Sequence, residues 1–321
     1  MTSRAAPVVV ITGASSGIGR ETARRYARRG ARLVLASRSR SALETVAAEC
    51  RELGAQVSAV PTDVTREGDV RALAACAAAE FGRIDVWVGN AGVFSYGAFE
   101  RTPERVFRQV IETNLMGQVH GARAVLPYFR RQGSGTLVLV GSLYSRVSSR
   151  DISPYITSKW GLLGFAEVLR QELRGERGIR VRIILPATVD TPIYQHAANF
   201  TGRRVHPLPP ASSPARVARA IIKAPRRRRF ATSVGQAQRS VIPLHRAAPP
   251  VYDVVTSAAK STLELRDADA ELTDGTVFEP PAEASPTTGG WRSPGQRMLF
   301  AAVVLAAVSG LTAWSQRKPS D

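Results

Sequence analysis

The sequence predicts an α/β fold with a doubly wound parallel sheet, and three observations support this prediction. From Val8 to about Pro186, short β-branched segments alternate with longer helical patterns, as in βαβ units. The β-branched segments are almost continuously apolar, which is typical of strands that helices cover on both faces. A hydrophobic composition of 44% in 321 residues allows one core of about 250 residues with a smaller appendage.

Each predicted element follows from its local pattern. Strands are predicted at residues 7–12, 32–36, 56–61, 86–89, 136–141 and 180–185. Helices are predicted at residues 17–29, 40–53, 67–81, 103–131 and 155–175, and several end at a glycine suited to a left-handed cap. A proline-rich stretch from Ala187 to Pro214 is interpreted as a substrate lid. A helix at 215–224 and a last strand at 230–234 complete the expected domain.

The formal net charge of +18 reflects 44 Lys and Arg residues against 26 Asp and Glu residues. This charge favours anionic partners without naming one. The basic residues are spread along helices without a nucleic-acid-binding motif, so no nucleic-acid partner is predicted. Neither the two cysteines nor the four histidines show the spacing of metal ligands, so no metal site is predicted.

A glycine-rich segment, Thr12–Gly19, follows the first predicted strand and opens the first predicted helix. At such a helix N-terminus, backbone N–H groups and the helix dipole can hold a pyrophosphate. Glycine is required where a Cβ would block the approach of the phosphates. Taken alone, the same glycines could simply form a tight turn.

Further motifs follow in order and resemble those of the short-chain dehydrogenase/reductase family. Thr12–Gly19, read as TGASSGIG, matches the family's TGxxxGxG, Asn90-Ala91-Gly92 resembles its NAG motif, and Tyr155–Lys159 matches its YxxxK motif. The resemblance covers about Val8 to Thr191, with weaker similarity to about Ala259. It implies a Rossmann fold and an oxidoreductase that acts on an alcohol/carbonyl pair with a nicotinamide cofactor.

The resemblance also implies roles for single residues. Asp63 stands where the family's aspartate contacts the adenine, and Asn114 matches the helix asparagine that holds a water linking Lys159 to solvent. Pro186-Ala187 departs from the family's Pro-Gly, but Thr191 is still positioned to bind the nicotinamide carboxamide. The full set of predicted cofactor-binding residues is Gly13, Ser15, Ser16, Gly17, Ile18, Gly19, Ser37, Arg38, Asp63, Val64, Asn90, Ala91, Gly92, Tyr155, Lys159, Pro186, Val189 and Thr191.

The predicted catalytic residues are Asn114, Ser142, Tyr155 and Lys159. Tyr155 and Lys159 are four residues apart, so on a helix they share one face. A tyrosine of ordinary pKa about 10 needs roughly 4 kcal/mol of extra phenolate stabilisation to titrate near pH 7, which the Lys159 ammonium and an oxidised nicotinamide can supply. Ser142 can then hydrogen-bond the substrate oxygen while Tyr155 moves its proton.

Cofactor choice depends on the end of the second predicted strand. An acidic residue there would bind a free ribose 2′-hydroxyl and repel a 2′-phosphate. Ser37 occupies that position, and Arg38 can contact a phosphate. NADP(H) is therefore the predicted cofactor, and the alternative is that Arg38 merely begins a solvated loop.

The chain beyond the catalytic domain is divided by composition. Residues 1–265 are predicted to form the Rossmann domain, 266–296 a flexible linker with little to bury, and 297–317 a C-terminal transmembrane anchor. The nineteen uncharged residues between Arg297 and Arg317 span about 28 Å as a helix, close to the thickness of a bilayer core. The alternative is a buried or dimer-forming helix.

These features together predict an enzyme held at a membrane by its C-terminus, with its catalytic domain in the cytoplasm. The anchor suggests a lipophilic substrate, and the family resemblance allows a homodimer or homotetramer. The alternative function is a non-enzymatic, NADP-binding membrane module, which the intact tetrad argues against. An epimerase or dehydratase is disfavoured because the glycines follow TGxxxGxG rather than TGxxGxxG.

Overall fold

A computed structural model of the protein describes residues 6–235, 238–281 and 283–292. Within these residues, seven parallel strands form the central sheet. The strands are β1 (Val8–Thr12), β2 (Arg32–Ser37), β3 (Val57–Pro61), β4 (Val86–Gly89), β5 (Gly135–Val140), β6 (Ile179–Pro186) and β7 (Ala231–Val234). Their order across the sheet is β3-β2-β1-β4-β5-β6-β7.

The strand order reverses between β1 and β4. Val9 of β1 pairs with Leu33 of β2 on one side and with Val86 of β4 on the other, in parallel register. The chain therefore winds outward in both directions from this point, and the loops after β1 and β4 diverge to opposite faces. Open parallel sheets bind ligands in the crevice that this reversal creates at the carboxyl ends of the strands.

Helices cover both faces of the sheet, as the doubly wound prediction requires. They are α1 (Gly17–Ala27), α2 (Arg40–Glu52), α3 (Glu67–Phe81), α4 (Glu104–Ile111), α5 (Gly117–Gln132), α6 (Ser153–Glu172), α7 (Pro214–Lys223), α8 (Gln238–Ala247) and α9 (Pro249–Ala259). The predicted helix at 103–131 is in fact two helices, joined by a π-helical turn at Glu112–Met116. A second π-helical turn, Lys260–Glu264, extends α9.

The core has two parts, one on each face of the sheet. Side chains of β1 alternate between them: Val9 and Ile11 pack with α1, α2 and α7, whereas Val10 packs with α3, α5 and α6. This alternation is the two-residue period of a strand covered on both sides. Each fully buried Val or Ile contributes about 1.5–3 kcal/mol relative to exposure, so the sheet is fixed in register beneath the crevice.

Two pairs of short strands connect segments outside the central sheet. Ser95–Tyr96 pairs in parallel with Ala198–Asn199, and Arg203–Val205 pairs in antiparallel fashion with Leu265–Asp269. The proline-rich stretch therefore contains ordered strand pairing, and the hairpin of α8 and α9 that follows β7 is an addition that the sequence patterns did not predict.

The described part of the segment at 266–296, for which a flexible linker was predicted, makes specific contacts with the domain. Val277 is fully buried and packs with Val93, Val106 and Phe200. The backbone of Thr273 exchanges two hydrogen bonds with that of Asn199, at 3.0 and 2.8 Å. The polar composition of the segment does not reveal these contacts, because they need only one buried apolar residue and a few main-chain hydrogen bonds.

The predicted anchor at 297–317 lies outside the described residues. Among those that are described, no helix is both long enough and apolar enough to cross a membrane.

Candidate active site

The glycine-rich loop between β1 and α1 is shaped by close backbone approach. A Cβ on Gly13, whose φ is +65°, would lie 2.8 Å from the Cα of Ala91. A Cβ on Gly19 would lie 2.0 Å from the carbonyl oxygen of Gly13. These two glycines are therefore needed for the loop to pack on itself and on the loop after β4, whether or not a ligand is bound.

Thr12 and Asn90 join the two loops. The hydroxyl of Thr12 accepts hydrogen bonds from the backbone N–H groups of Asn90 and Ala91, at 3.1 and 3.2 Å. The amide of Asn90 donates to the carbonyls of Thr12 and Gly13, at 3.1 and 3.0 Å. The side chain of Asn90 thus holds the glycine loop, and the sequence analysis missed the matching role of Thr12.

Arg38 lies just past the carboxyl end of β2 and is half-buried. Its guanidinium donates hydrogen bonds to the carbonyls of Thr276, Val277 and Phe278, at 2.7, 3.1 and 2.7 Å. Burial lowers the pKa of Arg38, and the nearby Asp63 carboxylate opposes that shift. Arg38 is therefore not part of a solvated loop, which was the alternative reading of this residue.

Ser142, Tyr155 and Lys159 meet at the carboxyl end of β5, and all three are buried. The Nζ of Lys159 donates to the carbonyl of Val140 at 3.1 Å and lies 5.5 Å from the centre of the Tyr155 ring. The hydroxyl of Ser142 accepts from the backbone N–H of Tyr144 at 3.1 Å. The structure thus brings together three of the four predicted catalytic side chains around one point.

Burial shifts the pKa values of Tyr155 and Lys159 in opposite directions. Desolvation raises the pKa of Tyr155 to about 12, a rise that the Ser142 hydroxyl opposes. Desolvation lowers the pKa of Lys159 to about 8. At neutral pH the phenol is therefore protonated and Lys159 is mostly an ammonium.

Asn114, the fourth predicted catalytic residue, lies in the π-helical turn between α4 and α5 and is fully buried. Its Oδ1 accepts from the N–H of Val93 at 2.8 Å, and its Nδ2 donates to the carbonyl of Val93 and the hydroxyl of Ser158, at 3.0 and 3.1 Å. The side chain joins the loop after β4 to α6, the helix that carries Tyr155. Its role in holding a water stays a prediction.

A cavity of about 410 Å³ lies at the carboxyl ends of the strands. All of the predicted cofactor-binding residues except Gly19 line it, and so does Ser142. Asn114 lies behind its wall. The glycine-rich loop, the Arg38 region and the group of Ser142, Tyr155 and Lys159 therefore share one continuous space.

The sequence analysis missed the apolar half of this cavity. Phe94 and Tyr144 pack on Tyr155, with ring centres 4.1 and 6.3 Å apart. The remaining apolar wall comes mainly from outside the motifs, and includes Leu143, Tyr194, Leu208, Val241, Leu244, Tyr252, Val255 and Ala259. The α8–α9 hairpin was not predicted, so no motif or spacing identified its cavity residues, whereas Tyr194 and Leu208 lie in the stretch interpreted as a substrate lid.

The α8–α9 hairpin is fastened to the loop that precedes α6. The hydroxyl of Tyr252 donates to the carbonyl of Ser148 at 2.6 Å, and the buried Lys260 donates to the carbonyl of Arg150. Lys260 is also 3.5 Å from the carboxylate of Glu264. The hairpin therefore forms a fixed wall of the cavity next to Tyr155.

The glycine loop has the shape that a nicotinamide dinucleotide requires. Gly17, with a φ of +49°, begins α1, and a Cβ there would lie 3.2 Å from the side chain of Thr191 across the cavity edge. Such a turn at a helix N-terminus is suited to a pyrophosphate. The residues present fit the cofactor, although the N–H of Gly17 already donates to the carbonyl of Pro286 at 3.2 Å.

Comparison with known families agrees with this geometry. The sequence model of the family "short chain dehydrogenase" matches residues 7–201, which contain the glycine loop and the Ser142, Tyr155 and Lys159 group. The chain belongs to the short-chain dehydrogenase family. Residues 202–321, including the α8–α9 hairpin, lie beyond that match.

Two relatives of this short-chain dehydrogenase show how far sequence similarity extends. "Uncharacterized oxidoreductase YxnA" of Bacillus subtilis (strain 168) is 39% identical over 200 residues, which are 61% of this chain and 56% of that protein. "11-beta-hydroxysteroid dehydrogenase 1A" of Arabidopsis thaliana is 39% identical over 190 residues, 59% of this chain and 54% of that protein. Either match spans little more than half of the relative.

Solved structures of other short-chain dehydrogenases share the fold. One from Burkholderia phymatum in complex with NAD has a TM-score of 0.69 at 27% identity, covering 79% of this chain and 97% of the other. A metagenomic short-chain oxidoreductase in complex with NADP has a TM-score of 0.60 at 27% identity, covering 71% and 95%. Both cofactors therefore occur among the structural relatives.

Proposed function

We propose that this short-chain dehydrogenase is an NADP(H)-dependent oxidoreductase that interconverts a secondary alcohol and a ketone or aldehyde. The observation that carries the proposal is the buried group of Ser142, Tyr155 and Lys159 on the same cavity as the glycine-rich loop. A bound nicotinamide supplies hydride transfer, which no side chain of the protein can perform.

The side chains handle the substrate oxygen and its proton. Ser142 hydrogen-bonds the oxygen, and Tyr155 delivers a proton to it in reduction or removes one in oxidation. Since burial keeps the phenol of Tyr155 protonated at neutral pH, the side chain is ready to act as the acid in reduction. Oxidation requires the phenolate, which the ammonium of Lys159 stabilises.

NADP(H) is proposed over NAD(H) because of the residues at the end of β2. Ser37 offers no carboxylate to repel a 2′-phosphate, and Arg38 carries a positive charge into the cavity wall. A guanidinium binds phosphate through charge-assisted hydrogen bonds.

A lipophilic substrate is proposed because of the cavity's wall next to Tyr155. Phe94, Leu143, Val255 and Ala259 line that part of the cavity, and apolar walls favour apolar ligands. Three of the relatives are named for a hydroxysteroid. A C-terminal membrane anchor at 297–317, with the catalytic domain on the cytoplasmic side, would bring the cavity near such substrates.

The test is a titration of the full chain with NADPH and NADH, followed by turnover assays on ketones and alcohols with wild type and Tyr155→Phe. We expect tighter binding of NADPH, and a loss of about 10²- to 10⁴-fold in turnover for Tyr155→Phe with NADPH affinity retained. Binding of neither cofactor would refute the proposal. Binding without turnover on any carbonyl or alcohol would favour a non-enzymatic module.

A further inference from the structure

Residues 270–281 and 283–292 form a segment, here called the strap, that crosses the cofactor cavity. It begins at the backbone pairing of Thr273 with Asn199 and is held by the buried side chain of Val277. Thr276, Pro280 and Pro281 contribute to the wall of the cavity. The strap lies beyond the residues that match the family, so it is a feature of this chain to be explained on its own terms.

The strap contacts the cavity at three places along the path expected for a dinucleotide. At the 2′-phosphate end, its carbonyls bind the guanidinium of Arg38. At the pyrophosphate loop, Pro286 accepts from the N–H of Gly17, and Ser285 accepts from Arg20 at 2.7 Å. At the nicotinamide end, the indole of Trp291 donates to the carbonyl of Thr191 at 3.0 Å.

Where the cofactor phosphates are expected, carbonyl oxygens of the strap accept the hydrogen bonds that phosphate oxygens would accept. Carbonyl oxygens of the strap accept hydrogen bonds from a helix N-terminal N–H and from guanidinium groups, which are the donors that bind phosphates in proteins. A donor that is bonded to a carbonyl at 2.7 to 3.2 Å has no room for a phosphate oxygen in the same direction. The strap and the cofactor phosphates therefore require the same groups.

The negative charge of the strap also indicates competition with the cofactor phosphates. It carries four carboxylates, Glu271, Asp274, Glu279 and Glu283, against one cation, Arg292, on a protein with a large positive charge. Asp274 pairs with Arg105 through both carboxylate oxygens, at 2.7 and 3.0 Å. An acidic segment is attracted to this basic protein and repels the phosphates of a dinucleotide, so it competes with them and does not assist them.

The far end of the strap is fixed beside the nicotinamide position. One oxygen of the buried Asp190 accepts from the N–H groups of Gly289 and Trp291, at 3.0 and 2.8 Å. The Trp291 ring also packs against Tyr194 and His206. These contacts hold the end of the strap against Thr191 and Tyr194, two residues that line the cavity.

We propose that the strap is an autoinhibitory occupant of the cofactor cleft, which must leave for NADP(H) to bind. This inference rests on the proposed function, because it takes the cleft to be a dinucleotide site. The apparent affinity for the cofactor is then the intrinsic affinity reduced by the fraction of molecules in which the strap is open.

The first test is hydrogen–deuterium exchange on the full wild-type chain with and without saturating NADPH. Without cofactor, the amides of Gly289 and Trp291 are expected to exchange slowly, since Asp190 holds them. With NADPH, exchange is expected to rise across the strap and to fall at the glycine-rich loop. A fall in exchange across the strap, or no change there while the glycine-rich loop becomes protected, would overturn the inference.

The second test weakens the strap's closure by Trp291→Ala, with Trp160→Ala as the matched control. Trp160 is half-exposed on α6, away from the strap. Losing the indole hydrogen bond and its ring packing is expected to tighten NADPH binding by up to about tenfold, whereas the control leaves the Kd unchanged. An unchanged or weaker Kd for Trp291→Ala refutes the autoinhibitory strap. Failure of wild type and both variants to bind any nicotinamide cofactor refutes the proposed function itself.

Discussion

Burial destabilises the charged forms of Tyr155 and Lys159, the two titratable side chains of the candidate site. The phenolate form of Tyr155 and the ammonium form of Lys159 are both disfavoured by desolvation. The ammonium of Lys159 donates to the carbonyl of Val140 at 3.1 Å. Within the described part of the chain it has no further hydrogen-bond acceptor and no carboxylate partner. A buried, unpaired cation is tolerated where function needs it, so Lys159 should lower the stability of the fold.

Replacing Lys159 by Met is therefore expected to stabilise the protein while abolishing turnover. The pKa of Lys159 is lowered to about 8 in the folded state, below its ordinary value, so the unfolded state binds the proton more tightly. The cost is fully present below pH 8 and is relieved as pH rises toward the ordinary pKa. At pH 7 we expect a gain on the order of 1–3 kcal/mol in the free energy of unfolding, after the lost hydrogen bond is counted.

Urea denaturation at pH 7 and pH 10 measures this effect. The gain for Lys159→Met over wild type should be larger at pH 7 than at pH 10. Lys223→Met, at an exposed position of α7, serves as the control and should change stability little at either pH. A Lys159→Met variant that is less stable than wild type at pH 7 would contradict the argument.

Most of the motif residues of the predicted site lie together on one cavity, because their spacing reflects covalent geometry. A Tyr and a Lys four apart on a helix must share a face, and glycines at a strand-to-helix turn must lie at the edge of a sheet. The sequence did not predict that Asn90 binds the glycine loop or that Tyr252 lines the cavity. Those contacts join residues far apart in the chain, and no local pattern records them.

At the scale of elements, local periodicity was enough for the sheet and its helices. The six predicted strands of the alternating region and the last strand all appear, since each is a short apolar run between glycine or polar turns. The π-helical turn around Asn114 was not predictable, because one extra residue in a helical turn changes the side-chain period only slightly. The α8–α9 hairpin was missed because of its prolines. Pro243 lies inside α8 and Pro249 is the first residue of α9, and a proline within a helical pattern usually indicates the end of a helix.

The α8–α9 hairpin is expected to set the size of substrate that reaches Tyr155. Val255 faces the cavity and is buried, whereas its neighbour Val254 is 52% exposed. Val255→Phe adds volume to the cavity and should lower kcat/KM for a long lipophilic ketone by about tenfold or more while sparing a small ketone. Val254→Phe places the same side chain in solvent and should leave both values unchanged. Equal losses for the two ketones would show that the hairpin does not discriminate by size.

At the scale of the whole molecule, a basic catalytic domain is followed by an acidic strap and then by an uncharged run. The nineteen residues from 298 to 316 carry no charge and have basic residues on both sides, as membrane-spanning segments commonly do. Composition alone separated these three parts. It could not reveal that the strap returns to the domain, since that depends on where its main-chain carbonyls meet Arg38 and Gly17.

Membrane anchoring by residues 297–317 is testable by fractionation of cells that express the full chain. Wild type is expected to stay with the membranes after alkaline carbonate extraction. Val304→Arg puts a charge in the middle of the uncharged run, at a cost of about 2.5–3.5 kcal/mol for insertion, and should shift the protein to the supernatant. Val254→Arg, at an exposed position of α9, is the control and should not. Release of wild type by carbonate would remove the anchor from the proposed function.

Trp291, whose indole binds the carbonyl of Thr191, stands seven positions before Met298, where the uncharged run begins. Seven residues reach at most about 25 Å when extended, so displacement of the run beyond that distance must also move Trp291. Two binding equilibria that depend on the same conformational change are coupled. If one ligand changes the affinity for the other by some factor, the second changes the affinity for the first by the same factor. If the strap must open for NADP(H) to bind, a membrane that pulls on Trp291 through residues 297–317 is expected to strengthen cofactor binding, and cofactor binding is expected to strengthen attachment to that membrane by the same factor.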